Sequence, residues 1–155
     1  MISNKDRAFS FVEVIILVMF IGIFAAIAVP RLNRAAISKN KAQTVARKIV
    51  TDLRLTRRLA ISDAANNTKG FELKIVGSAP YTAYEVENVN THETVVSHKL
   101  DSDVSISCPS GVRFIFGPLG NLEPGSSTEI IVSAGGKTCT INITPATGTV
   151  KCTEN

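Results

Sequence analysis

The chain has 155 residues, of which 45 % are hydrophobic, so it holds one domain of modest size besides any separate apolar segment. Its net charge of +4 is divided unevenly: residues 31–58 carry nine basic side chains and one acidic one, whereas residues 59–155 carry six basic and ten acidic ones. An acidic C-terminal part argues against a general nucleic-acid-binding domain, because such domains neutralise phosphates with lysine and arginine. The basic side chains of 31–58 are more consistent with a solvated helix face or with pairing to acidic neighbours.

The first predicted element is an apolar helix near the N-terminus. The 16 residues from Val14 to Val29 are all uncharged, and the run from Phe9 to Val29, which includes Glu13, has 21 residues. About 20 apolar residues are needed to cross a bilayer, so this run is a candidate transmembrane helix. The alternatives are a plain signal anchor and a cleaved secretory signal, for which residues 26–28 supply an A-x-A pattern.

A second helical pattern follows Pro30. Small and apolar residues recur mostly at steps of three and four between Ala35 and Ile61, which predicts an amphipathic helix. No glycine or proline interrupts residues 31–63, and stop signals appear only in the AANNTKG stretch that ends at Gly70. We therefore expect one continuous helix of about 55 residues, roughly 80 Å long, that runs from the membrane into water.

From Phe71 onward, short runs rich in valine, isoleucine, threonine and aromatic residues predict β-strands. Turn sequences such as GSAP, CPSG, AGGK and PATG separate these runs. No helical pattern intervenes, so we expect an antiparallel sheet or small sandwich and not a parallel α/β sheet. The apolar stripe of the helix would cover this sheet, which gives an α+β fold.

The three cysteines, Cys108, Cys139 and Cys152, allow at most one intramolecular disulfide. A hairpin that turns at PATG would bring Cys139 and Cys152 into opposition, and we predict that pair. Closing so short a loop is worth about 3 kcal/mol in the chain-entropy model. Cys108 with Cys139 is the rival pair, and three buried free thiols are the third possibility.

Residues suited to catalysis or to binding a cofactor are scarce. His92 and His98 lie in a polar, strand-like segment, with no cysteine or acid at the spacing of metal ligands. The glycine-rich turns lack the context of a nucleophile or of a phosphate-binding loop. We therefore expect no enzymatic activity, no catalytic residues, no cofactor, no metal and no small-molecule substrate.

The stretch RAFSFVEVIILVMFIGIFAAIAVP resembles the class III signal of type IV pilins and type II secretion pseudopilins. In that family a short basic leader is removed before a phenylalanine, the new N-terminus is methylated, and a glutamate stands four residues after that phenylalanine. The resemblance implies cleavage between Ala8 and Phe9 by a prepilin peptidase, N-methylation of Phe9, and roles in assembly for Glu13, Gly22 and Pro30. Ala8 stands where the family usually has glycine.

Glu13 is the one charged residue inside the apolar run. The resemblance implies that, in a filament, its carboxylate approaches the N-terminal amine of Phe9 in the next subunit. Such a pair would fix the register of assembly, because a misaligned subunit leaves a charge unpaired. The alternative is that Ser10 and Glu13 form a capping box of the form S-x-x-E, in which both side chains bond to backbone N–H groups at the start of the helix.

The C-terminal part is similar to the GspH/FimT group of minor pilins and pseudopilins. The similarity rests on F-x-P-x-G at Phe116 to Gly120, two further predicted strands and a T-G turn at Thr147 and Gly148. DLRLTRRLAIS also stands where that group has a stretch of the form LR-x-AR-x-x-AI. The resemblance implies a pilin-like fold, in which a long N-terminal helix, transmembrane in its first half, packs against an antiparallel sheet or sandwich.

The resemblance divides the chain into a cleaved leader (1–8), a transmembrane and assembly half-helix (9–29), an amphipathic half-helix (30–65) and a β head (66–155). It implies a single-pass protein of the bacterial inner membrane with its head in the periplasm. Such a minor pseudopilin or minor pilin joins other pilin-like subunits to initiate or cap a filament, in type II protein secretion or in type IV pilus biogenesis.

Two other functions remain open. A DNA-binding minor pilin for natural transformation would use a small basic patch at Lys137 and Lys151. A signal-anchored periplasmic enzyme belongs to a different class of protein, and an uncleaved apolar N-terminus that starts at Met1 would favour it.

Overall fold

The computed structural model describes residues 10–154, with the side chains of residues 28–39 left out. One helix, α1 (Phe11–Ser62), precedes eight strands in this part of the chain. The strands are β1 (Phe71–Val76), β2 (Ala83–Asn88), β3 (Thr94–Lys99), β4 (Ser105–Ser107), β5 (Arg113–Phe116), β6 (Glu129–Ala134), β7 (Lys137–Thr144) and β8 (Thr149–Glu154). The chain divides between Ile37 and Ser38 into two compact units.

The N-terminal unit contains the apolar stretch 11–27 of α1. The helix begins where the backbone N–H groups of Glu13 and Val14 donate to the carbonyl oxygen of Ser10, at 2.9 and 3.2 Å. The large apolar side chains of this stretch are all exposed, from 47 % at Val14 to 80 % at Phe11. The stretch is therefore apolar around its circumference, with no buried face of its own.

The predicted fold class is wrong in its membrane-spanning half. The backbone of α1 is helical from Phe11 to Ser62, but its side chains are described in two separate stretches, 11–27 and 40–62. Neither stretch, nor any other helix in the described residues, has the length and hydropathy of a membrane span. The structure thus shows a small β-rich fold with two helical stretches.

The same finding contradicts the predicted localisation. A single-pass protein of the inner membrane needs one helix that crosses the bilayer, and the described residues contain none. The leader (1–8) and the predicted cleavage position lie outside the described residues.

The stretch 40–62 has the amphipathic character that the sequence predicts. Its fully buried residues follow helical steps of three and four: Ala42, Ala46, Ile49, Leu53, Thr56 and Ala60. Four of these six residues have no side chain larger than threonine, so the helix backbone can approach the strands closely. Burial of this face is what holds the stretch against the sheets.

The helix is joined to β1 by a turn that Asn67 organises. The Oδ1 atom of this buried side chain accepts the backbone N–H groups of Lys69 and Gly70, at 3.1 and 3.0 Å. Its Nδ2 donates to the carbonyl oxygen of Gly70 at 2.7 Å. Gly70 has φ of +76°, and a Cβ there would lie 1.9 Å from the carbonyl oxygen of Phe116. The asparagine and glycine that mark the helix stop in the sequence therefore also start the first sheet.

The strands form two antiparallel sheets of four strands each, in the orders β3-β2-β1-β5 and β4-β6-β7-β8. Alternate residues of the central strands face inward, as in Phe71, Leu73 and Ile75 of β1. A single core cluster combines residues of both sheets with the buried face of 40–62. The antiparallel strands that the sequence predicts are present, and they are divided between two sheets.

The opposite face of the first sheet carries paired charges. Arg113 Nε and Nη2 donate to the two carboxylate oxygens of Glu72, at 2.7 and 3.1 Å. Glu87 Oε2 accepts from Lys74 Nζ at 3.0 Å, and Nδ1 of His92 lies 2.9 Å from Glu87 Oε1. Glu72 and Glu87 stand directly opposite each other, so each needs its own cation to offset their repulsion. The hydrogen bonds from His92 and Lys74 lower the pKa of the Glu87 carboxyl.

Protonation of Glu87 should therefore lower the stability of the fold at acid pH. The folded protein lowers the pKa of Glu87, so the ionised Glu87 carboxylate stabilises the fold at neutral pH. This stabilisation is lost as the pH falls from the usual glutamate range, near 4, through the lower pKa of the folded state. We expect Glu87→Gln to lower the thermal unfolding midpoint at pH 7 and to reduce the loss between pH 7 and pH 3. Exposed Glu93, changed to Gln, is the control, and an equal effect of the two substitutions would contradict the assignment.

Candidate functional site

The predicted processing and assembly residues are only partly described. Ala8 and Phe9 lie outside the described residues, and so does the side chain of Pro30. Glu13 and Gly22 lie on the exposed apolar stretch 11–27. A Cβ at Gly22 would meet no other atom within 4 Å, so nothing within the described residues requires glycine there.

The capping box predicted for Ser10 and Glu13 is not formed among the described residues. The backbone N–H groups of Glu13 and Val14 donate to the Ser10 carbonyl, but neither the Ser10 nor the Glu13 side chain makes a hydrogen bond to a described residue. The pairing of Glu13 with the N-terminal amine of Phe9 stays a prediction.

The DLRLTRRLAIS stretch forms the last turns of α1. Leu53, Thr56 and Ala60 face the core, whereas Arg54 and Arg58 are exposed. Arg54, Arg57, Arg58 and Ile61 follow steps of three and four, which places them together on one side of the helix, next to its buried face. The same periodicity that buries the apolar residues thus gathers three guanidinium groups on one surface.

Three sequence motifs meet at Arg57. Its Nε donates to the carbonyl oxygen of Gly120, the last residue of the F-x-P-x-G motif, at 3.0 Å. A Cβ on Gly148, in the T-G turn, would lie 2.0 Å from that same oxygen and 3.1 Å from Nε of Arg57. Gly148 also has φ of +62°, a conformation that glycine adopts without strain. The sequence indicates each motif separately, but no local pattern shows that they are in contact.

These motifs border an open cleft of about 470 Å³. We call it the arginine-lined cleft; its lining residues are Arg54, Arg57, Arg58, Ile61, Ser62, Gly148, Thr149 and Val150. Arg54 Nη2 lies 3.4 Å from the carbonyl oxygen of Val150, to which it donates a long hydrogen bond. No acidic side chain lines the cleft. The cleft is therefore a concave, positively charged surface, and sequence reasoning had assigned these arginines only to a solvated helix face or to acidic partners.

The structure corrects the predicted geometry of the cysteines. All three are free thiols: Cys139 is buried, Cys108 is partly buried and Cys152 is exposed. In the β7–β8 hairpin Cys139 stands opposite Glu154 and Cys152 opposite Ile141, so the two cysteines are diagonal neighbours and not directly opposed. Burial, followed by the neighbouring Cys152, raises the pKa of the Cys139 thiol.

The rival pairing of Cys108 with Cys139 is excluded by the strand order. Cys108 directly follows β4, and β6 lies between β4 and β7. Two strand spacings separate the residues by about 9.5 Å, beyond the roughly 7 Å limit between the Cα atoms of a disulfide. Burial raises the pKa of the Cys108 thiol to about 11, which suppresses its reactive thiolate form.

The proposed basic patch at Lys137 and Lys151 does not form. Lys151 pairs across the hairpin with Asn142, five residues along β7 from Lys137. That separation is about 17 Å at 3.4 Å per residue. The two lysines therefore lie in different parts of the second sheet.

Both histidines make structural contacts. His98 stands opposite Tyr84 on β2–β3, and its Nε2 lies 3.5 Å from Oδ2 of Asp52. Tyr84 donates its hydroxyl to the same Asp52 oxygen at 2.7 Å, and burial, followed by Asp52, raises the pKa of Tyr84. His92 contacts Glu87. The described residues contain no group of three or more His, Cys, Asp or Glu side chains arranged to hold a metal.

Comparison with protein families, with characterised proteins and with solved structures gives no significant match to this chain. The cleft and the apolar helical stretch are therefore the features from which a function has to be argued.

Close packing at Gly148 predicts a large loss of stability on Gly148→Ala. The new Cβ would overlap the carbonyl oxygen of Gly120, whereas Gly136, at φ +79°, has no atom within 4 Å of a Cβ position. Gly136→Ala should cost only the backbone strain, about 1–2 kcal/mol. Gly148→Ala should cost about 2–5 kcal/mol, because overpacking adds roughly 1–3 kcal/mol to the same backbone strain. Denaturant unfolding of both variants measures the difference, and equal losses would show that the contact is unimportant.

Cys139 and Cys152 should form the intramolecular disulfide when the protein is exposed to glutathione disulfide. Glutathione would first form a mixed disulfide at exposed Cys152, and Cys139 would then displace it. Closing the short loop should stabilise the fold by up to about 3 kcal/mol, less any strain from the diagonal geometry. Peptide mapping identifies the linked pair, and Cys108→Ser is the control that should leave it intact. A disulfide that includes Cys108 would contradict the strand order.

Proposed function

We propose that the chain is a filament subunit of the minor pseudopilin or minor pilin type. It joins other pilin-like subunits through the helical stretch 11–27, and it helps to initiate or cap a filament in type II secretion or type IV pilus biogenesis. The observation that supports this proposal is the exposure of every large apolar side chain of that stretch. The resemblance of the N-terminal sequence to the pilin signal supports it independently.

The size of this apolar surface favours association with other helices. Thirteen large apolar side chains of the stretch are exposed: Phe11, Val12, Val14, Ile15, Ile16, Leu17, Val18, Met19, Phe20, Ile21, Ile23, Phe24 and Ile27. Burying about half of them is worth roughly 10–20 kcal/mol, at 1.5–3 kcal/mol for each side chain. Association costs roughly 4–15 kcal/mol in lost freedom, so helix packing with neighbouring subunits would offset most or all of that cost.

Glu13 would supply specificity to this association. Its side chain is exposed in the isolated chain, and neighbouring helices would remove it from water. Burying a charge without a partner costs about 3–5 kcal/mol, and pairing the charge with an opposite one reduces that cost. A neighbouring subunit that offers a positive group at this level, such as a processed N-terminal amine, therefore selects one register.

Gly22 fits the same role, because it leaves open space on the helix surface. Small residues at helix interfaces let two backbones approach closely, which increases van der Waals contact. The other partner in this proposal is a prepilin peptidase, which would expose the N-terminal amine by removing the leader.

Substitution within the stretch should weaken assembly more than a matched substitution elsewhere. Leu17 is 58 % exposed and Leu119, in the loop after β5, is 88 % exposed. We expect Leu17→Gln to reduce recovery of the full chain with the other filament subunits by roughly tenfold or more, since it removes about 1.5–3 kcal/mol of apolar burial. Leu119→Gln should leave recovery unchanged. Recovery of each variant with the partner subunits is measured by cross-linking and co-purification from cells that carry those subunits.

Glu13→Gln is the second arm of this test. It should reduce incorporation without changing the thermal unfolding of the sheets, because residue 13 belongs to a different compact unit from the sheets. Mass spectrometry of the incorporated protein should show a chain that begins at methylated Phe9. Normal incorporation of both Leu17→Gln and Glu13→Gln, or a chain that still begins at Met1, would refute the proposed function.

A further inference from the structure

The arginine-lined cleft carries positive charge that no described acidic residue neutralises. Several basic side chains elsewhere have close carboxylate partners, as Lys41 has in Asp103 at 2.7 Å, Lys74 in Glu87 at 3.0 Å and Arg113 in Glu72 at 2.7 Å, whereas single exposed lysines such as Lys99 do not. None of the salt bridges among the described residues includes Arg54, Arg57 or Arg58. Three guanidinium groups thus converge on one concave surface with their charges uncompensated.

The arrangement of these arginines suits an anion. Arg54 and Arg58 are four residues apart on one helix face, where like charges repel. A bound anion would remove that repulsion. Two of the guanidinium groups are also held by the chain, since Arg57 bonds to the Gly120 carbonyl at 3.0 Å and Arg54 to the Val150 carbonyl at 3.4 Å. Each guanidinium has five N–H donors, so most of them remain for a ligand.

We propose that the arginine-lined cleft binds a ligand with linked phosphate groups. Guanidinium groups bind phosphate oxygens through two parallel hydrogen bonds, and arginine is favoured where such planar recognition is needed. The cleft, at about 470 Å³, is within the roughly 300–1,000 Å³ range of small-molecule sites. Ser62 and Thr149 add hydroxyl groups to its lining.

The spacing of the arginines favours several phosphates over one. The Cα atoms of Arg54 and Arg58 are separated by about 6 Å along the helix axis, at 1.5 Å per residue. A single phosphate held by one guanidinium leaves the other uncompensated, whereas linked phosphates place one negative group against each. The same chemistry is presented by a free polyphosphate and by the backbone of a single-stranded nucleic acid. The proposal is independent of the proposed filament function, because the cleft lies outside the apolar stretch 11–27.

Calorimetric titration of the full chain in mild detergent tests the proposal with two probes, inorganic triphosphate and a short single-stranded oligonucleotide. The double variant Arg54→Gln/Arg58→Gln should weaken binding at least tenfold. Arg57 is left intact because it supports the turn at Gly148. The matched control is Lys99→Gln/Lys137→Gln, which removes the same charge at exposed positions outside the cleft and should leave affinity unchanged.

The two probes identify the source of the phosphates. Binding of triphosphate alone supports a free polyphosphate ligand. Oligonucleotide binding that weakens with salt and with the cleft variant supports a nucleic-acid strand. A raised thermal midpoint with the bound probe, lost in Arg54→Gln/Arg58→Gln, confirms that the ligand binds the folded chain. The proposal fails if neither probe binds at low salt, or if the control variant weakens binding as much as the cleft variant does.

Discussion

The close packing of one helical face against two sheets is the constraint on which the C-terminal unit depends. Residues of 40–62 at steps of three and four are fully buried in a core that both sheets share. Ala42, Ala46 and Ala60 keep this face shallow, so a longer side chain at any of them would force the helix away from the strands. Because helical periodicity fixes which residues are buried, it also fixes which residues lie outside the core. Arg54, Arg57 and Arg58 are among the residues left outside, and they line the arginine-lined cleft.

A buried polar contact aligns this helix with the first sheet. Asp52 is nearly buried, and its carboxylate accepts the hydroxyl of Tyr84 at 2.7 Å, with His98 3.5 Å away. An unpaired carboxylate at this depth would be costly, so the contact is favourable only when helix and sheet are in one relative position. Apolar packing alone permits small slides of a helix over a sheet. The Asp52 contact removes that freedom.

The two functional surfaces of the chain arise from different physical causes. The stretch 11–27 is exposed and apolar, so in the proposed assembly the gain from leaving water would drive association and Glu13 would restrict its register. The cleft is exposed and positively charged, so it attracts anions, and its strength depends on salt. The glycines at 120 and 148 connect the cleft to the fold, because they allow the loop and the turn to close around Arg57. The proposed filament role and the proposed anion site use different residues, so a substitution can remove one without the other.

The sequence by itself determined the local structure: the amphipathic period of 40–62, the helix stop before Gly70, and the antiparallel strands with their turns. Such features depend on periodicities of 3.6 and 2 residues and on turn chemistry, all of which are visible within a few positions. The sequence also indicated a membrane-spanning helix, which the described residues do not contain.

Only the tertiary structure decided which distant residues meet. The sequence placed Cys139 opposite Cys152, but the hairpin register makes them diagonal, and it separates Lys137 from Lys151. The contact of Arg57 with Gly120 and Gly148 joins segments more than 60 and 90 positions apart along the chain. Strand register and long-range contacts depend on how whole helices and strands pack together. A local sequence pattern is compatible with several such packings, so it does not specify which of them forms.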